Sequence, residues 1–204
     1  MGINRAVYKL AEKLGGVEFE VYDKNGVFLG KESTFVNAIK RSANENIAEF
    51  GREGLFHYRT KLEPGCLIWN RANDEKYIIS AMRSQDFKKQ LIYYSVYLLQ
   101  VNAEATVKRN TLSVANITTA NFDYSEVLRY SDIPAFLRKE DWTMESMTPI
   151  GREQRGYETL VIQNSYDVAK GDLVYTFDNK YIVQYITKYS KEGYLEIQLG
   201  IDVK

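Results

Sequence analysis

One pattern occurs twice in this chain. Residues 64–80 read PGCLIWNRANDEKYIIS, and residues 170–184 read KGDLVYTFDNKYIVQ. Each copy has a glycine before a short apolar run, then a polar turn, then Lys-Tyr and a second apolar run. Glycine suits a tight turn that a side chain would crowd, and Asn and Asp favour turns because they bond their own backbone. Each copy therefore predicts a β-hairpin.

The two copies align position by position on either side of the turn. The aligned pairs are Gly65 with Gly171, Leu67 with Leu173, Trp69 with Tyr175, Lys76 with Lys180 and Tyr77 with Tyr181. The first copy has extra residues near Arg71-Ala72, and turns tolerate insertions of this kind. A third β run follows each copy, at 91–101 and at 194–201. The pattern favours a duplicated module, and chance likeness between aromatic hairpins is the alternative.

We predict a mainly β fold with minor α (α+β), built from two related small β-barrel or curled-sheet modules. The predicted organisation is an N-terminal helix–hairpin–helix over 1–54, a first β module over 55–109, an insertion or arm over 110–156 and a second β module over 157–204.

The N-terminal prediction rests on a change of period. Ile3, Val7, Leu10 and Leu14 lie on one helical face, whereas residues 17–22 alternate as a strand before an Asn-Gly turn. From Thr34 to residue 50, apolar residues recur every three or four positions, which predicts a second helix.

Residues 110–156 are polar, and their apolar residues are scattered. Residues 133–137 are compatible with one helical turn that Asp132 would cap, and the rest is predicted to be extended and irregular. Long irregular segments are usually functional or linkers, so a contact arm and a solvated linker both remain open.

The sequence offers little for catalysis. His57 and Cys66 are the only residues of their types, and Cys66 lies in an apolar run where a thiol is not activated. Glu18 with Glu20 and the group Glu140, Asp141 and Glu145 lack a pattern that would fix two carboxyls across a substrate. We expect no enzymatic activity, no metal site and no cofactor.

Charge argues against a dedicated nucleic-acid protein. Lys plus Arg and Asp plus Glu both number 27, so the formal net charge is zero. DNA binders normally carry a basic excess, although Lys88-Lys89, Lys108-Arg109 and Arg152 with Arg155 form short basic clusters. A barrel that binds single-stranded nucleic acid stays an alternative. No apolar run is long enough to span a bilayer, and we expect a protein made in the cytoplasm.

The second copy also resembles a known family. Residues 170–174 and 180–183 are similar to the small β-barrel module of the tailed-bacteriophage neck proteins, which are head-closure, stopper or head-completion proteins. Residues 64–68 resemble it too, with Cys66 where the pattern has Asp, and residues 94–102 resemble the following strand. The chain departs from the family by its length and doubled module.

The resemblance implies a non-enzymatic virion protein of the phage neck or tail, assembled in the host cytoplasm. It implies a homo-oligomeric ring, six-fold or twelve-fold, that joins or seals the portal to the tail while DNA passes transiently. Tail terminator, tail-tube or baseplate adaptor and minor capsid protein are the alternatives. If Trp69 and Tyr175 are core rings, truncating either to Ala should cost about 3–5 kcal/mol.

Overall fold

The computed structural model describes residues 16–38, 51–87, 90–116, 121–139, 157–189 and 193–201. These residues form twelve β-strands arranged as two closed barrels of six strands each. Among the described ranges there is no helix. The prediction of a mainly β protein with two small β modules is therefore confirmed.

The first barrel is built from the strands before residue 101. They are β1 (Val17–Tyr22), β2 (Phe28–Ala38), β3 (Gly51–His57), β4 (Leu67–Asn70), β5 (Glu75–Phe87) and β6 (Gln90–Gln100). Their order around the barrel is β1-β2-β3-β6-β5-β4, and β4 pairs with β1 to close it. All neighbouring strands with a defined register are antiparallel.

The second barrel repeats this arrangement. Its strands are β7 (Ala103–Asn116), β8 (Asn121–Lys139), β9 (Tyr157–Gln163), β10 (Leu173–Thr176), β11 (Asn179–Tyr189) and β12 (Tyr194–Ile201). Their order, β7-β8-β9-β12-β11-β10, is the order of the first barrel with every strand number raised by six. The duplication therefore covers six strands, not only the repeated hairpin.

Contacts divide the chain into two compact units. Unit 1 comprises Met1–Val101, Gln163–Ser165 and Tyr189–Tyr194, and unit 2 comprises Asn102–Ile162, Tyr166–Lys188 and Leu195–Lys204. Each unit has its own apolar core, which includes Phe19, Phe56 and Ile68 in unit 1 and Ile133, Leu160 and Ile197 in unit 2.

The repeated pattern forms β4–β5 in one barrel and β10–β11 in the other, and the register is the same. Leu67 pairs with Ile78 as Leu173 pairs with Ile182, and Trp69 pairs with Lys76 as Tyr175 pairs with Lys180. The turns are residues 71–74 and residues 177–178, so the length difference is confined to the turn, as predicted.

The same backbone bonds hold the entry to both hairpins. The Gly65 amide donates to the carbonyl of Ile79 over 2.7 Å, and the Gly171 amide donates to that of Val183 over 2.9 Å. The two glycines have φ values of +87° and +89°, a region that L side chains rarely adopt. The turn chemistry predicted for both glycines is confirmed.

An inserted arm distinguishes the second barrel. In the first barrel, β1 turns into β2 through Lys24–Gly26, and the Asp23 amide donates to the carbonyl of Val27 over 2.9 Å. In the second barrel the equivalent pair is Arg109 opposite Val127, and the described residues 110–116 and 121–126 extend both strands beyond it. Residues 110–112 pair with residues 124–126 in an antiparallel ladder. We call residues 110–126 the arm.

The helix predictions need correction. Thr34–Ala38 belongs to β2, and residues 133–137, predicted as a helical turn, belong to β8. Asp132 is not a helix cap but has φ +55° near an irregularity in the β7–β8 register between Ala105 and Val107. Phe35, spaced four residues from Ile39, fitted a helix as well as a strand, which misled the assignment.

Other parts of those predictions lie outside the described residues. These are the first helix at 3–14, residues 39–50 of the second helix, and residues 117–120 and 140–156 of the predicted insertion. The described part of 110–156 is strand, so the prediction of an irregular segment is corrected there. The described part of 1–54 supplies β1, β2 and the beginning of β3 to the first barrel.

The two equivalent glycines should respond differently to alanine. A Cβ at Gly171 would have no neighbour within 4 Å, whereas a Cβ at Gly65 would collide with the backbone of Gly193 within unit 1. Gly171→Ala should lower the free energy of unfolding by about 1–2 kcal/mol through φ strain alone. Gly65→Ala should cost clearly more. Urea denaturation followed by circular dichroism tests this, and equal losses would contradict it.

Candidate interaction surface

Cys66 is a buried, inert thiol. It is 2% exposed, and its Sγ accepts a hydrogen bond from the Glu63 amide over 3.4 Å. Burial raises the pKa of the Cys66 thiol, so the reactive thiolate is disfavoured. This geometry suits a small core residue and not a nucleophile.

His57 lies at the end of β3. Its Nδ1 accepts a hydrogen bond from the Arg59 amide over 3.2 Å, and its ring packs near Tyr58 with 4.3 Å between centroids. Partial burial, and then the charge of Arg59, lower the pKa of His57. In the described part of the chain, no group of three or more His, Cys, Asp or Glu side chains could hold a metal ion.

The two acidic residues of β1, Glu18 and Glu20, are engaged by cations. Glu18 pairs with Lys31 over 2.9 Å, and Glu20 accepts from Tyr22 Oη over 2.7 Å and from Arg71 Nε over 2.8 Å. These two hydrogen bonds lower the pKa of Glu20 below its usual range. Both carboxylates act as surface ion-pair partners. The group Glu140, Asp141 and Glu145 lies outside the described residues.

The basic cluster that the structure describes is neutralised internally. Lys108 pairs with Glu126, and Arg109 pairs with Asp172 and Asp167. Lys88-Lys89 and Arg152 with Arg155 lie outside the described residues. Within the same limits, no helix is long and apolar enough to cross a membrane.

Apart from the two glycines, the aligned residues of the repeat differ in burial. The buried residues are Leu67, Tyr77, Leu173 and Tyr181, each 8% exposed or less. Burial, together with the nearby carboxylates Glu75 and Glu158, raises the pKa of both tyrosines to about 12. Trp69, Tyr175, Lys76 and Lys180 are only half-buried, so the condition that the two aromatic rings are core rings is not met.

An aromatic row crosses three neighbouring strands on the outside of the first barrel. Phe28 on β2 lies 5.6 Å from Tyr22 on β1, and Tyr22 lies 6.5 Å from Trp69 on β4, between ring centroids. Arg71 lies over the Trp69 ring at 3.2 Å, and Lys76 lies 4.7 Å from its centroid. Aromatic and Arg side chains are the types that dominate protein interfaces.

The second barrel has a different cluster at the equivalent place. Leu128, Lys108 and Tyr175 stand where the first barrel has Phe28, Tyr22 and Trp69. Lys108 Nζ lies 4.5 Å from the Tyr175 ring centroid. Glu126, a residue of the arm, accepts a hydrogen bond from Tyr175 Oη over 2.6 Å. The cluster therefore links the arm to the outer surface of its barrel.

A buried ion pair marks the position that differs between the repeats. Asp172, 2% exposed, accepts from Arg109 Nε over 2.7 Å and from Arg109 Nη2 over 2.8 Å. The Ala169 amide donates to Asp172 Oδ2 over 2.8 Å, just as the Glu63 amide donates to Cys66 Sγ. Cys66 and Asp172 thus both accept a hydrogen bond from the amide three residues earlier, one through a thiol and the other through a carboxylate. The sequence did not predict the ion pair between Asp172 and Arg109.

The arm presents apolar side chains to solvent near its base. Tyr124 within the arm is 65% exposed, and Val127 and Leu128 just beyond it are 44% and 57% exposed. Val27 and Phe28, the equivalents of the last two, are 58% and 52% exposed. Both barrels therefore expose an apolar pair at the same place, and only the second extends it into an arm.

Neighbouring residues on β4 should differ in their contribution to stability. Ile68 is fully buried, so Ile68→Ala should lower the free energy of unfolding by about 2–5 kcal/mol. Trp69→Ala removes a half-buried outer ring and should cost about 1–2 kcal/mol. Denaturant titration followed by far-UV circular dichroism measures both, and a Trp69→Ala loss as large as that of Ile68→Ala would refute the outward placement.

The Arg109–Asp172 pair should show strong coupling. Arg109→Met leaves the buried Asp172 carboxylate without its cation and should cost about 3 kcal/mol or more. Adding Asp172→Cys, which copies the first barrel, should restore most of that loss. A double-mutant cycle in guanidinium measures the coupling, and additive losses would contradict it.

Comparison with known proteins was made at the level of families, single proteins and folds. No family model, curated protein or solved structure matches this chain. The geometry of the described residues therefore carries the functional argument.

Proposed function

We propose that this chain is a non-enzymatic virion protein that forms a ring in the head–tail connector of a tailed bacteriophage and joins or seals the portal to the tail. The observation that carries the proposal is the pair of barrels with one strand order, of which one bears an arm. This combination suits a subunit that works by contact.

The repeated hairpin supports the proposal through the resemblance that it carries. In both barrels the glycine, the four-residue strand and the Lys-Tyr strand occupy the same register. Asp172, which the neck-protein pattern includes, is buried and holds Arg109 at the base of the arm. The residues that resemble the family therefore build the barrel and support the arm.

The architecture also favours assembly by an arm. Closing a sheet into a barrel removes the free edges through which strands normally add. Among the described residues of the arm, 110–112 and 124–126 pair only with each other, so each strand has one unpaired edge. Strand addition at such an edge is a common mode of protein recognition. Exposed Tyr124 adds an aromatic contact residue.

The described charges favour protein contact over nucleic-acid binding. Arg71, Lys108 and Lys180 each bond a carboxylate, at Glu20 or Glu126. Affinity for nucleic acid comes mainly from Lys and Arg side chains that neutralise phosphates and release their counterions. Cations that already bond a carboxylate contribute less to this release. The formal net charge of zero agrees with this preference.

Imaging tests the place of the protein in the virion. The full chain should form closed rings, six-fold or twelve-fold, in electron micrographs at high concentration, or cap the portal ring encoded by the same genome. Binding to tail-tube protein instead would support a tail-terminator or adaptor position. A monomer that binds neither assembly would refute the connector proposal.

The first barrel supplies a matched variant for the arm. Residues 110–126 can be replaced by Lys-Asn-Gly, the turn at residues 24–26, because Arg109 and Val127 match Asp23 and Val27. This variant should keep a β-type circular dichroism spectrum and the melting temperature of the parent while losing ring formation or portal binding. Normal assembly by a folded armless variant would show that the arm is not the contact.

A further inference from the structure

We infer that Glu126 is a positioning residue that latches the arm to the outer surface of the second barrel. The role that we give the arm in assembly rests on the proposed function, whereas the latch itself can be tested without it. The inference comes from the contacts of one carboxylate.

Glu126 accepts hydrogen bonds from three different strands. Its donors are Tyr175 Oη on β10 at 2.6 Å, Lys180 Nζ on β11 at 3.1 Å and Lys108 Nζ on β7 at 3.2 Å. Hydrogen bonds from Tyr175, Lys180 and Lys108 lower the pKa of Glu126 to about 2. The carboxylate is thus ionised at neutral pH, and both of its oxygens accept hydrogen bonds. Hydrogen bonds to an ionised group are stronger than those between neutral groups.

The arm requires such an anchor. A two-stranded hairpin alone is marginally stable in water. β10 pairs with β7 only at residues 106–108, which ends the barrel ladder before the arm begins. Glu126 lies at the last arm position and reaches back to β10 and β11. It therefore joins the arm to β10 and β11 at the level where β10 no longer pairs with β7.

The first barrel provides the contrast. There the residue before Val27 is Gly26, and the short turn closes on itself through the Asp23 side chain, whose Oδ1 accepts from the Asn25 and Val27 amides. The nearby Glu20 has two donors, Tyr22 and Arg71, and holds no inserted segment. The carboxylate with three donors occurs in the barrel that has an arm to hold.

Hydrogen exchange of the full chain tests the latch. Glu126→Gln keeps the shape of the side chain but removes its charge and one acceptor. Amides of residues 110–112 and 124–126 should exchange about tenfold faster than in the parent, because charge-assisted bonds are lost. Amides of β11 and β12 should be unchanged. Tyr175→Phe, which removes one donor of three, should give a smaller increase.

Glu20→Gln is the matched control. It breaks a carboxylate cluster beside an aromatic ring of the first barrel and should leave arm exchange unchanged. Unchanged arm exchange in Glu126→Gln would overturn the inference, as would an equal acceleration throughout the second barrel. Ring formation is scored in the same samples. Rings that persist with a fast-exchanging arm would refute the need for a latched arm in assembly and leave the latch standing.

Discussion

Each barrel is closed by a strand of only four residues, and the remaining strands depend on that closure. β4 pairs with β1 over three positions, as β10 does with β7. A pairing this short requires a tightly held turn before the closing strand. Gly65 and Gly171, at φ +87° and +89°, form that turn, and their amides donate hydrogen bonds to β5 and β11. Without closure, the six strands would form an open sheet with two unpaired edges. The repeated pattern is thus the part of the sequence that turns a sheet into a barrel.

Strand alternation then separates stability from surface chemistry. On β4, Ile68 is buried and Trp69 points outward; on β10, Val174 and Tyr175 repeat the division. Because successive side chains face opposite sides of a sheet, the inner set can stay apolar while the outer set changes. The outer row is aromatic in the first barrel and includes Lys108 in the second. The duplicated fold therefore presents two different surfaces.

The sequence predicted the hairpins because their chemistry is local: glycine, turn residues and alternation lie within a few positions of one another. The rest of the duplication was hidden. Phe19 and Val21 correspond to Ala105 and Val107, a match too weak to recognise, and the arm displaces the following strand. Phe35 fits either period, so tertiary pairing decided between them. The Glu126 contacts join residues up to 54 positions apart, which no local pattern could show.

The equivalent positions Cys66 and Asp172 connect these points. A thiol in that position fills space and accepts a hydrogen bond from the Glu63 amide, and in the first barrel the neighbouring turn is short and bonds itself. A carboxylate in the same place holds Arg109, which is the last β7 residue before the arm. Glu126 holds the β8 strand of the arm, one residue pair beyond Arg109 and Val127. Ion pairs thus lie at the base of the arm on both of its strands, through Asp172 with Arg109 and through Glu126 with its lysines.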